Sequence, residues 1–169
     1  MLLYEDIISG DEMLSDAFPL KEVDDIVFEV DCQKIVVKPG VDIDIGANPS
    51  AEEQEEALQE EGAEQVINVV YSHRLQSTSF DKKGYLTYLK GYMKEVKTRL
   101  QQTNPDRVEA FEKGAQAFAK KIVANFKDYE FYTGENMNPE GMVALLNYRE
   151  DGVTPYFTFW KDGLKEIKL

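Results

Sequence analysis

Between residues 79 and 127 the apolar side chains change their period, and that change restricts the chain to few architectures. Tyr85, Tyr88, Leu89, Tyr92, Met93, Val96 and Leu100 recur at helical spacing, while Lys90, Lys94 and Lys97 fall on the other face. Ser79 followed by Asp81 supplies a cap and then an acid for the first turn. A second helix is expected from Asn104-Pro105, because proline at the first helical position forfeits no hydrogen bond. Its stripe is Val108, Phe111, Ala115, Phe118, Ile122 and Phe126, with Lys113, Lys120 and Lys127 opposite. Two long helices joined by a few residues predict an antiparallel αα-hairpin.

On both sides of this hairpin the period is that of strands. LLYEDII (2–8), FPLKEV (18–23), IVFEV (26–30) and KIVVK (34–38) read as short strands, the last two as a hairpin around Asp31-Cys32-Gln33. QVINVVY (65–71), YEFYTG (129–134), MVALLNY (142–148), YFTFW (156–160) and a short tail, LKEIKL, continue the pattern. In NYREDGVTPYF (147–157), Glu150-Asp151-Gly152 suits a type I turn with a left-handed glycine, closing 142–148 onto 154–160. Pro155 there predicts an edge or a bulge. Strands, an inserted helical pair and more strands indicate one α+β domain, with 1–38, 65–78 and 128–169 as its β core. Residues 39–64 carry nine acids, no base and almost no large apolar side chain. Such a segment cannot bury enough surface to offset its ordering entropy, so a mobile acidic loop is expected.

Charge separates the same regions. Residues 79–127 hold eleven Lys/Arg against five Asp/Glu, whereas the rest holds eight against 27, for an overall −13. The acidic total argues against specific nucleic acid and anionic lipid as partners of the whole molecule. The hairpin lysines Lys90, Lys94, Lys97, Lys113, Lys120 and Lys127 instead offer a basic face that would steer an acidic partner. MLLYEDIISGDE has no basic start, so no signal peptide is expected, and no apolar run suggests membrane insertion. A cytoplasmic protein is expected.

Few residues suggest catalysis. His73, the sole histidine, reads as a surface or strand-end residue with no orienting acid or nucleophile nominated beside it. Cys32, the sole cysteine, reads as an exposed turn thiol without a catalytic partner. GANPS lacks the length and the Lys-Ser/Thr ending of a phosphate loop. No enzyme is expected. DIDIGANPSAEE (42–53) imitates an EF-hand loop through Asp42, Asp44, Asn48 and Glu53, but Ala47 occupies the required glycine position and no helices flank it. Asp42, Asp44, Glu52 and Glu53 are candidates for weak calcium binding, and a simply solvated acidic run remains the alternative.

Two long motifs carry a resemblance. TGENMNPEGMVALLNYREDGVTPYFTFWKDGLK (133–165) and IGANPSAEE (45–53) resemble the two signatures of the translationally controlled tumour protein family. MLLYEDIISGDEMLSD and SFDKKGYLTYLKGYMKEV are similar to it as well, so the likeness spans the chain. The resemblance implies a β-tent core, like that of a small zinc protein that binds Rab GTPases and of methionine sulfoxide reductases, with a protruding helical hairpin. It also implies weak calcium binding with no required cofactor, and partners among small GTPases of the Ras/Rab type, tubulin, and ribosomes or translation factors. A zinc site of the paired CxxC kind is not expected from one cysteine. By resemblance, Glu12 of the DEM motif is implicated in GTPase contact, with Asp11 beside it. By themselves these two acids also suit a polar turn after the first strand. Glu135, Asn136 and exposed Met137 of GENMNPEG are expected on the same surface.

Overall fold

A computed structural model of the chain describes residues 2–37 and 64–168. The predicted acidic loop, apart from Glu64, and the calcium candidates Asp42, Asp44, Glu52 and Glu53 lie outside the described residues.

The described strands pair antiparallel in three sheets. Strands β1 (Leu2–Asp6) and β2 (Glu12–Ser15) form the first sheet with β11 (Leu164–Lys168), in the order β11-β1-β2. The second has six strands in the order β3-β4-β10-β9-β8-β7, namely β3 (Leu20–Val23), β4 (Val27–Asp31), β10 (Pro155–Trp160), β9 (Ala144–Tyr148), β8 (Glu130–Thr133) and β7 (Gln76–Thr78). Strands β5 (Lys34–Val37) and β6 (Glu64–Ile67) make the third. Helices α1 (Asn68–His73), α2 (Lys82–Thr103) and α3 (Val108–Ala124) complete an α+β fold.

The predicted hairpin of 26–30 with 34–38 does not form. Strand β4 has β3 on one edge and β10 on the other, so neither is left for β5, which pairs with β6. Asp24 and Asp25 are both left-handed (φ 55° and 58°) and reverse the chain between β3 and β4, with Ile26 N donating to Val23 O at 3.1 Å. Residues 32 and 33 then cross between sheets. Cys32 N extends the ladder to Pro155 O (2.8 Å), and Gln33 N donates to the side-chain oxygen of Asn68 (3.0 Å). Cys32 is accordingly buried, not an exposed turn thiol.

The run 65–71 is strand only as far as Ile67 and continues as α1. Val69 and Val70 favour a strand locally, but Val69 and His73, four residues apart, bury one helical face against β2. Arg74 ends the helix left-handed (φ 54°).

The hairpin stripes match expectation. Tyr85, Leu89, Tyr92, Val96 and Leu100 of α2 are buried, as are Phe111, Ala115, Phe118 and Ile122 of α3, and all belong to the single core. The helix starts differ from those predicted. Asp81, not Ser79, caps α2 by accepting from Gly84 N at 2.6 Å. Pro105–Arg107 forms a 3₁₀ turn before α3 begins at Val108. Both ends of the hairpin touch the β core, so it does not stand clear of it. At the base, Tyr85 and Phe126 meet the Phe131 ring at 5.2 and 5.4 Å, and at the connection Arg107 bonds Asp25 and Asp162. Midway, Phe118 stands edge-on to Trp160 at 5.6 Å.

The β9–β10 hairpin forms as predicted. Gly152 is left-handed (φ 72°), its N–H donates to Arg149 O (2.9 Å), and Asp151 accepts from Val153 N, Thr154 N and Thr154 Oγ1. Pro155 lies on a central strand, not an edge. Its missing N–H is tolerated because it is the first residue of that strand.

Candidate functional site

The turn after β1 and the loop after β8 are stitched together by two buried aspartates. Asp6 accepts from Ile8 N (3.0 Å), Ser9 Oγ (2.7 Å) and, across the fold, Met142 N (2.7 Å). Asp11 accepts from the backbone N (3.3 Å) and side-chain nitrogen (2.5 Å) of Asn136. Asp11 therefore does more than fill a polar turn. It is 6% exposed and fixes the loop that carries Glu135, Asn136 and Met137. From below, Tyr88 donates to Gly141 O (2.5 Å) and accepts from Val143 N (3.0 Å). Burial, then the neighbouring Tyr85, pushes the Tyr88 phenol well above its ordinary value, so its hydroxyl keeps the proton it donates.

Glu12 opens β2 with its side chain 42% exposed, and its Oε2 lies 2.8 Å from His73 Nδ1. His73 is thus neither at the surface nor at a strand end. It is buried in the last turn of α1, with the Phe18 ring edge-on at 5.8 Å. With Nδ1 protonated, the imidazole donates to the carboxylate and sets its orientation. His73 Nε2 is buried and has no hydrogen-bond partner among the described residues. Arg74 Nη1 reaches Glu135 Oε1 at 3.1 Å, and Met137, left-handed at φ 53°, leaves 52% of its surface in water.

The result is one ledge. It brings Asp11, Glu12, Glu135, Asn136 and Met137 together, and adds His73, Arg74 and Asp6, which inspection of the sequence did not select. A faint signal was present: Arg74 and Glu135 are opposite charges in polar stretches, but nothing local pairs residues 61 apart.

The six hairpin lysines do not make one face. Lys90, Lys94 and Lys97 line a groove between α2 and α3, whereas Lys113, Lys120 and Lys127 are exposed elsewhere on and beyond α3. Lys97 pairs with Glu112 and Lys113 with Glu109 (3.0 Å). Among the described residues no cluster of three His, Cys, Asp or Glu is placed to hold a metal ion.

Burial pushes the Cys32 thiol up to about 12, against smaller opposing contributions. Roughly 10⁻⁴ of it is thiolate at pH 8. An aromatic disulfide reagent at that pH is expected to label the native protein at least ~100-fold slower than the urea-unfolded chain. Equal rates would show the thiol to be open.

The model of the translationally controlled tumour protein family matches residues 1–165. The chain belongs to that family. It is 71% identical to the translationally controlled tumour protein homologue of Mycosarcoma maydis and 58% identical to that of Saccharomyces cerevisiae, each over all of both chains. Among solved structures, translationally controlled tumour-associated protein p23fyp of Schizosaccharomyces pombe superposes with a TM-score of 0.83 at 65% identity, covering 100% of each chain. The translationally controlled tumour protein of Caenorhabditis elegans superposes at 0.73 and 35% identity, over all of this chain and 99% of that one. Membership extends to relatives of equal length, so the ledge and the hairpin belong to the part that is shared. No described helix is long and apolar enough to cross a membrane.

Proposed function

We propose that the protein is a non-catalytic, cytoplasmic interaction protein that holds a small GTPase of the Ras/Rab type on the ledge of Asp11, Glu12, Glu135, Asn136 and Met137. The observation that carries this reading is the buried His73 oriented on half-exposed Glu12. A carboxylate held by a buried donor loses little side-chain freedom when it meets a cation, so its pairing costs less entropy than that of a free glutamate. The cation of the partner is the phosphate-binding lysine of a GTPase whose nucleotide has left, and Met137 supplies adaptable apolar contact beside it. The protein then acts as an exchange factor or as a chaperone of the empty GTPase. Nucleotide-release rates with and without it separate the two.

The test measures binding of nucleotide-free and GDP-loaded Ras-like GTPases to wild type, Glu12→Ala and Glu12→Gln. Both variants are expected to bind the empty GTPase at least ~10-fold more weakly, since a charged hydrogen bond contributes about 1.5–3 kcal/mol. Unchanged affinity would remove the ledge from consideration.

A second contact is supported by Lys90 and Lys94, which are exposed and have no ion pair among the described residues. This face would take an acidic partner, tubulin being the family's candidate, with ribosomes or translation factors as further ones. The alternative, a calcium-responsive protein acting through residues 42–64, predicts saturable calcium effects on Asp42, Asp44, Glu52 and Glu53 below millimolar concentration and none at the hairpin.

A further inference from the structure

Helices that pack well leave little apolar surface between them, yet a groove of about 630 Å³ runs along one side of the α2–α3 seam. Its base is made of core residues, Leu89, Phe111 and Ala115. Leu86 and Met93 extend the apolar lining on the α2 side, and Leu86 keeps 42% of its surface in water. A large apolar side chain left this open beside further apolar surface marks a place for a partner.

The cations at the edge of the groove lie on one side only. Lys90, Lys94 and Lys97 stand at i, i+4 and i+7 on α2, whereas the α3 side offers Gln116, Ala119 and Glu112. Glu112 is already matched by Lys97, and that pair joins the two helices. Lys90 and Lys94 stay unmatched among the described residues. From Leu86 to Lys97 the groove extends along roughly 16 Å of helix, three turns. A row of cations parallel to an apolar trough suits an extended partner with acids down one flank. A single anionic headgroup would instead want its cations gathered at one mouth.

We propose that this groove docks an acidic amphipathic helix of a partner protein, its apolar face in the trough and a row of Asp/Glu against Lys90 and Lys94. The inference rests on the reading of the hairpin as the contact for an acidic partner, and it specifies what that partner presents. Charge alone would attract any acidic chain, but the trough selects one whose apolar residues recur at i, i+3, i+4 and i+7.

The test titrates the full chain into fluorescent peptides of about 18 residues, long enough to span the groove as a helix. One peptide is amphipathic with glutamates on its flank, a second keeps those glutamates but has glutamine in place of leucine, and a third keeps the leucines with lysine flanks. The first is expected to bind at least ~10-fold more tightly than either other. Leu86→Ser and Leu86→Glu should each weaken it ~10-fold or more, and Lys90→Glu with Lys94→Glu should weaken it most at low salt. These side chains are exposed, so unchanged thermal melting confirms that the variants fold. If the first two peptides bind alike and only the lysine reversals matter, the groove proposal fails while the acidic-partner reading stands. If the lysine reversals change nothing, both fail. If dodecanoate binds one-to-one at Leu86 and the first peptide does not bind, the occupant is an anionic amphiphile and the proposal is overturned.

Discussion

Arg107→Ala is expected to destabilise the protein by about 3 kcal/mol, which lowers the melting temperature of a chain this size by roughly 6–12 °C. The guanidinium of Arg107 grips Asp162 through Nε to Oδ1 and Nη2 to Oδ2, each at 2.9 Å. It also donates to the side chain and backbone carbonyl of Asp25. The side chains of Arg107 and Asp162 are only 14% and 7% exposed. Removing the arginine leaves a carboxylate enclosed without its counter-charge, which is the costly way to break a buried pair. Asp25 contributes little to that cost, because it faces water and keeps Lys161. Arg107→Lys should rescue poorly, since an ammonium cannot match the two-pronged geometry. Replacing both partners with apolar residues, Arg107→Met with Asp162→Leu, should recover most of the loss. Urea unfolding of the four proteins decides the matter, and a single-variant loss below about 1 kcal/mol would show that this contact does not anchor the hairpin.

Gly134→Ala is expected to disable the ledge although it replaces none of the residues proposed to hold the GTPase. A Cβ at Gly134 would lie under 3.0 Å from three atoms of the Asp11 side chain, closer than packed atoms come. Asp11 cannot swing away freely, because it is buried and holds both nitrogens of Asn136. Either Asp11 gives up Asn136 or the loop after β8 shifts, and both outcomes displace Glu135 and Met137. A loss of about 1–3 kcal/mol is expected from the overpacking, together with loss of GTPase binding comparable to that of Glu12→Ala. Gly10→Ala provides the contrast. Its Cβ meets nothing within 4 Å, so its cost comes only from a left-handed backbone at φ 79°. If Gly134→Ala binds the GTPase as wild type does, the loop does not contribute to the contact.

Local pattern reached unequally far into this molecule. The stripes of α2 and α3 were legible because a helical period shows which face is buried, whatever it packs against. The β9–β10 corner was legible because a left-handed glycine beside an Asx-type acid is a local arrangement. Glu12 and its companions entered through family resemblance, and periodicity had nothing to say of them. His73 was misjudged because its partner lies 61 residues away in sequence, and Asp6 was passed over because its acceptor role is completed 136 residues on.

What the sequence determined by itself was therefore the composition of the parts: an α+β chain, an inserted helical pair with known inner faces, and a family. Apart from the β9–β10 hairpin, tertiary structure alone decided which strand pairs with which, since β4 offers two edges and the backbone hydrogen bonds of a ladder are the same whichever chain segment supplies them. It made 68–73 a helix, because burying Val69 and His73 on one face outweighs the strand preference of two valines. It also turned a scattered aspartate, glutamate, histidine and asparagine into one surface. Hydrogen bonds between distant residues form only where the core has already brought their backbones together, so no local pattern can announce them.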